Sequence, residues 1–273
     1  MRADALPSPR RPPTRPSTRL SAPLRRLARA AALAALGTAA LAAPAARAAT
    51  DTDPDTPLPF KLTTGLYQVS SGGLPSGPGL DVNLRYTRGD DHWWVGAFRS
   101  PALGFSMPRA GWDSTVAFGD WRVLPSVQIA SGGFVGGSLA VETGTTWVVG
   151  AGLGRTNLRN YANLNFDPND AYSVYGSHRF TSGDTLALQL VRDNRQNPDQ
   201  QNLHLVWRSP RPGGQRLTVD LLAKQGTVDG RFIRRAGLSV GYDWPEWFVR
   251  AAWDPQVNFT PQNMLRVSTG VRF

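Results

Sequence analysis

Ten basic side chains occupy polar positions in stretches that alternate apolar and polar residues. They are Arg85, Arg122, Arg179, Arg208, Arg216, Lys224, Arg235, Arg250, Arg266 and Arg272. Six acids, Asp81, Asp113, Glu142, Asp220, Asp243 and Asp254, fall on the same polar face. If these residues surround a common axis, two chemistries are open. A wall rich in Arg and Lys favours anions in a pore. Alternatively, Arg–carboxylate pairs fill the space and close it.

A second group lies in GRTNLRNYANLNFDPNDAY, residues 154–172. Asn163, Asn165, Asp167, Asn169 and Asp170 bring several oxygen donors together. Calcium takes six to eight oxygens, but the spacing does not fit the EF-hand loop. Asp-Pro and Asn-Asp are also ordinary turn formers. Arg155, Asn157, Arg159 and Asn160 could meet lipopolysaccharide phosphates, or the loop could fold inward as a constriction. Constriction or turn is the expected role, with no metal and no cofactor.

Hydrolysis needs a base within hydrogen-bond reach of its nucleophile. The chain has three histidines, His92, His178 and His204. Ser177 and His178 are adjacent, so in a strand they point to opposite faces. Asp167, Asp170 and His204 could form a rim hydrolase, the least favoured reading. No catalytic residue is assigned.

The elements that would position these residues are strands. GLDVNLRYTR sets Leu80, Val82, Leu84 and Tyr86 against Asp81, Asn83 and Arg85. NLHLVWRS, QRLTVDLLAK and RAGLSVGYD repeat the alternation. Aromatics gather at segment ends: Tyr86, Trp93, Trp121, Trp147, Trp207, Tyr242, Trp247, Trp253 and Phe273. Two aromatic girdles flank the apolar band of a membrane barrel. Short connections (89–91, 119–121, 144–145, 181–184, 209–214, 243–246) alternate with mostly longer ones (71–78, 101–109, 132–133, 156–170, 194–200, 226–231, 255–263). Gly132-Gly133 reads as a tight hairpin, and Pro125 as a break in local pairing or a bulge.

This count gives an all-β, antiparallel, up-and-down transmembrane barrel of 12–14 strands, with 14 the best count. Strands 60–70 and 92–100 are the least regular, because both of their faces carry apolar residues. Short periplasmic turns and longer outer loops put both termini in the periplasm.

Residues 1–48 read as a signal peptide. Arg- and Pro-rich sequence precedes an apolar run from Ala30 to Ala43, and Ala46-Arg47-Ala48 supplies the cleavage signal. Nine of the thirty basic residues lie there against one acid, which leaves a net charge of +2 downstream. The strongly basic total is thus no argument for nucleic-acid binding. No Cys is present, which excludes disulfides and thiolate chemistry. Residues 49–59 are an acidic, Pro-rich lead-in, and 60–273 form the barrel.

The sequence closes on MLRVSTGVRF. Here Leu265, Val267, Thr269, Val271 and Phe273 share one face. Arg266, Ser268, Val271 and Phe273 resemble the C-terminal insertion signal of Gram-negative outer-membrane β-barrel proteins, with Ser268 in place of the usual Gly. The resemblance implies an integral outer-membrane location and recognition of this strand by the barrel-assembly machinery. It also implies contact with outer-membrane lipid and lipopolysaccharide. The expected function is a small passive channel with an Arg-rich lumen for small, anionic solutes. Arg85, Arg235 and Arg250 would line the path. The alternative is a non-conducting structural or binding barrel that presents its loops to a partner.

Overall fold

A computed structural model describes residues 58–70 and 76–273. The signal segment and nearly all of the lead-in lie outside the described residues. Fifteen strands follow in chain order. The first five are β1 (Phe60–Ser70), β2 (Gly77–Arg88), β3 (Asp91–Ser100), β4 (Phe105–Ser114) and β5 (Val116–Phe118). Next come β6 (Trp121–Ala130), β7 (Phe134–Thr143), β8 (Trp147–Thr156), β9 (Ala171–Arg179) and β10 (Thr185–Asp193). The last are β11 (Gln201–Arg211), β12 (Gln215–Val228), β13 (Arg231–Asp243), β14 (Trp247–Asp254) and β15 (Asn263–Arg272).

β4 and β5 are one wall strand. Both pair with β6 in a single register, Asp113↔Ser126 and then Val116↔Val123. The interruption falls opposite Pro125, which has no N–H to give to the ladder. Counted this way the wall has fourteen strands. The sheet closes where β1 meets β15, from Lys61↔Arg272 to Ser70↔Asn263. Phe60 and Phe273 complete the seam with two reciprocal backbone hydrogen bonds of 3.0 Å. The seam leaves no open edge between the first and last strands, and a sheet that crosses lipid must close in this way.

The barrel is polar within and apolar without. Leu66 is 62% exposed while its neighbour Tyr67 is 5% exposed. Leu80, Val95, Ile129, Leu139, Leu188, Leu205 and Val267 continue the exposed apolar surface. In water such a surface would aggregate; in a bilayer it is the solvated face.

The short connections and the β1–β15 seam with Phe60 and Phe273 share one end, the turn end. The aromatic belt is dense there. Phe273, Phe60, Tyr86 and Trp93 form a row with ring centroids 5.6, 5.1 and 5.7 Å apart. Trp121, Trp147 and Trp247 are exposed at the same end. The opposite, loop end has only a sparse set, including Tyr172, Phe232 and Trp253. The two expected girdles are therefore unequal.

Two sequence expectations at the β12–β13 hairpin need correction. Residues 226–231 are not a long connection: β12 and β13 run on to a two-residue turn at Asp229-Gly230, where both residues have positive φ. This hairpin pairs as far as Val228↔Arg231, whereas β13 and β14 part above Leu238↔Trp253. It therefore stands above its neighbour. Arg235, expected in the wall of the path, lies on that free extension and is exposed.

Candidate functional site

The connection between β8 and β9 does not extend away from the barrel. Residues 157–160 are exposed, and from Tyr161 to Asp170 all but Asn165 are buried. The segment turns into the barrel because its apolar side chains find an apolar patch on the inner wall. Tyr161 stacks on Phe134 at 4.2 Å, and Ala162, Leu164 and Phe166 join Tyr67, Val69, Phe98 and Met107. Apolar residues on the inner face of β1 and β3 exist to receive this loop, which is why those strands read irregularly.

Polar contacts then fix the loop. Arg266 donates to the Leu164 carbonyl at 2.9 Å. Asn202 donates to the Phe166 carbonyl at 2.6 Å and to Asp167 at 2.8 Å. His204 lies between two carboxylates: Nε2 is 3.0 Å from Asp167 and Nδ1 is 3.0 Å from Asp220. Burial alone would raise the Asp167 carboxyl, but His204, Asn202 and Lys224 outweigh it and hold it below its ordinary value. Asp170 accepts from Thr156 at 2.6 Å and from Arg195 at 3.2 Å. Burial pushes the Tyr161 phenol up, against the pull of Arg109.

Of the loop's oxygen donors, Asn163, Asp167 and Asp170 face separate partners, whereas the buried Asn169 side chain has none among the described residues. Asn163 bonds to Asn258 and to the Asp167 carbonyl, and its own side-chain oxygen receives the Asn165 N–H at 2.9 Å. Arg155 is half-exposed at the rim beside Asn194 and Asp170, and Arg159 is exposed.

Beneath the loop is a cavity of about 420 Å³. Tyr161, Leu164 and Asn165 bound it at the loop, and Lys61, Phe248, Arg250 and Arg216 lie toward the turn end. Seven basic residues line it: Lys61, Arg85, Arg109, Arg208, Arg216, Arg250 and Arg266. Two acids line it, Asp81 and Asp220. Arg109 holds both oxygens of Asp81 at 2.8 Å, and Asp220 accepts from His204. Arg85 meets Asp113 at 2.7 Å, a carboxylate that His92 also approaches at 3.0 Å. The remaining lining, from β11 to β14, sets Arg208, Arg216 and Arg250 against Asp220 alone.

Other expected residues sit elsewhere. Lys224 and Asp254 form a fully buried pair near the loop end, and Lys224 also donates to the Gln256 carbonyl at 2.9 Å. Arg122 pairs with Glu142 at 2.7 Å near the turn end, and Tyr175 donates to the same carboxylate at 2.7 Å. In β15, Arg266 and Ser268 point inward to the cavity, whereas Val271 and Phe273 are exposed on the outer face. His178 packs against Trp147, at 4.1 Å between ring centroids, and against Phe180.

Arg109 and Lys61 were not singled out from the sequence. Their signal was register. Lys61 faces Arg85 across β1–β2, and Arg109 lies four residues before Asp113 on the inward face of β4. Pro108 and a misplaced loop boundary at 101–109 hid Arg109.

No protein-family model matches the sequence, and no curated protein matches it. Among solved structures, the chain is similar to the Acinetobacter baumannii outer membrane protein Omp33. The identity is 10% and the TM-score 0.53, covering 79% of this chain and 98% of that one. It also aligns with the KdgM porin at 11% identity and a TM-score of 0.41, covering 77% of this chain and 99% of the porin. A variant of the Rh. blastica porin aligns at 10% identity and a TM-score of 0.45, covering 79% and 99%. At these identities the likeness is one of fold.

Proposed function

We propose that this barrel, an integral protein of the bacterial outer membrane, is a narrow channel for small anionic solutes. One observation carries the reading: seven basic residues against two acids line the cavity beneath the inward loop. Charges of one sign lining a cleft between low-dielectric walls focus the field and concentrate counter-ions. On this reading the loop end, with its mostly longer connections, faces outside the cell and the turn end faces the periplasm, as in other barrels of this kind. The loop from Tyr161 to Asp170 is then the constriction, with Asn165 its exposed polar side chain at the cavity.

Planar-bilayer recording across a salt gradient tests this. The expected result is stable steps with an anion-favouring reversal potential. Neutralising Arg208 and Arg250 together to Gln moves that potential toward zero. An unmoved potential removes the arginine wall from the selectivity mechanism.

A second reading, a capped barrel that conducts only when its loop is displaced, is favoured by the apolar cluster that Tyr161, Leu164 and Phe166 form across the lumen. Deleting 159–168 separates the two. A silent wild type and a conducting deletion make the loop a plug; conduction in both makes it a constriction. A hydrolase gains no support, because each His204 nitrogen already faces a carboxylate. Recognition of β15 by the assembly machinery, and of lipopolysaccharide by the loop end, remain proposals.

A further inference from the structure

The positive charge of the cavity is not spread evenly. On the β2–β4 wall it is matched: Arg85 meets Asp113 and Arg109 meets Asp81. On the β12–β15 wall one carboxylate is shared among three guanidinium groups. Asp243 lies 2.7 Å from Arg272, 3.7 Å from Arg216 and 3.8 Å from Arg250. Only the first is a hydrogen-bond distance. The same spot holds a second crowd. The Phe248 ring has Arg250 at 4.8 Å, Lys61 at 5.1 Å and Arg272 at 5.6 Å from its centroid. Four cations thus converge on one carboxylate and one ring.

Such crowding costs free energy unless something offsets it. The ring quadrupole offsets part, as cation–π contacts do. The hydrogen-bonding record shows what is missing. Among the described residues, buried Nε atoms with no hydrogen-bond partner occur around the cavity, at Arg109 and Arg266 as well as at Arg216, and of these Arg216 lies toward the turn end. Buried guanidinium N–H groups normally find acceptors. An oxyanion supplies acceptors in the planar, paired geometry that Arg matches best.

We infer that the turn-end half of the cavity is a binding site for a small oxyanion carrying two or more charges, a carboxylate or a phosphate. Arg216 and Arg250 grip it, and Arg272 and Lys61 supply field. Asp243 positions the arginines and competes with the ligand. The site deepens the channel reading, since it makes the path saturable and charge-selective. Its occupancy, however, is measured without transport.

The test is titration calorimetry on the folded barrel in detergent, with citrate, inorganic pyrophosphate and acetate as probes. Heat-modifiable gel migration confirms that each variant is folded. The expected result is saturable binding of citrate or pyrophosphate at least about tenfold tighter than acetate. The arm that binds tighter identifies the ligand class. Arg216→Gln with Arg250→Gln weakens binding about tenfold, and Asp243→Asn tightens it by removing the competing charge. A purely structural arginine cluster predicts no tightening in Asp243→Asn. Weak and equal binding of all three probes overturns the site, as does binding that ignores the double Arg variant. If Asp243→Asn does not fold, Lys61→Gln replaces it and is expected to weaken binding. Binding without bilayer conductance leaves the site standing and defeats the channel; anion-selective conductance without binding does the reverse.

Discussion

Asp167 is a loop carboxylate buried against His204 and Asn202, and it tethers the inward segment to β11. Its pKa is depressed, so the tether contributes stability above the ordinary carboxylate value of 3.8 and loses it as pH falls through the lower, folded value. Neutral and mildly acidic buffers should leave the loop closed, and strong acid should open it. Asp167→Asn should remove that dependence and lower the local stability of 161–170 by about 1.5–3 kcal/mol, the worth of hydrogen bonds to a charged group. Hydrogen exchange of the loop amides across pH measures both; a loop equally protected in variant and wild type would show that its apolar side chains alone hold it. The sequence displayed Asp167 and His204 as chemistry-bearing residues and grouped them only in the least favoured, rim-hydrolase reading, not as a tether of the loop. Their contact spans 37 positions and depends on the loop turning inward, which no local pattern encodes.

At the scale of elements, alternation made most strands readable, because a half-buried strand repeats every two residues whichever side is polar. β3 was hard to read for a physical reason. Trp93 faces lipid, and Trp94 faces inward but lies flat over Gly111 of β4. A Cβ at Gly111 would come within 2.3 Å of the Trp94 ring and 2.8 Å of the Val127 carbonyl. Gly150 makes the same allowance for Tyr175, whose ring would be 2.4 Å from an added Cβ. The glycine and the aromatic form one packing unit across two strands, so neither is informative alone. Gly111→Ala should cost about 1–3 kcal/mol through overpacking, read as a lower urea midpoint for the refolded barrel. An unchanged midpoint would mean that Trp94 swings freely into the cavity. The inward loop and the raised β12–β13 hairpin were not legible, since Gly and Asp mark a turn without fixing how far its strands run.

For the whole molecule, the sign of each face decides what a substitution does. Leu188 is 51% exposed in the middle of β10, at the depth of the hydrocarbon core. Leu188→Arg should destabilise the membrane-inserted barrel by about 2–4 kcal/mol. An inward change such as Thr218→Arg, on the cavity wall, should cost less and alter conductance instead. Denaturant titration in lipid vesicles compares the two, and equal costs would argue against a lipid-facing exterior at Leu188. Closure, strand count and outward face could be read from composition and period, because lipid permits few architectures. The turn-end charge cluster could not, since it is assembled from β1, β12, β13, β14 and β15.

The seam between Phe60 and Phe273 sets an order in time. It joins backbone groups roughly two hundred residues apart, and contacts of such long sequence separation form late. Until they form, any partly built sheet has two open edges, and lipid offers no hydrogen bonds to either. Strands cannot therefore enter the membrane one by one as stable intermediates. The wall must arrive nearly whole, or its first and last strands must be held by the edge of another sheet until they meet each other.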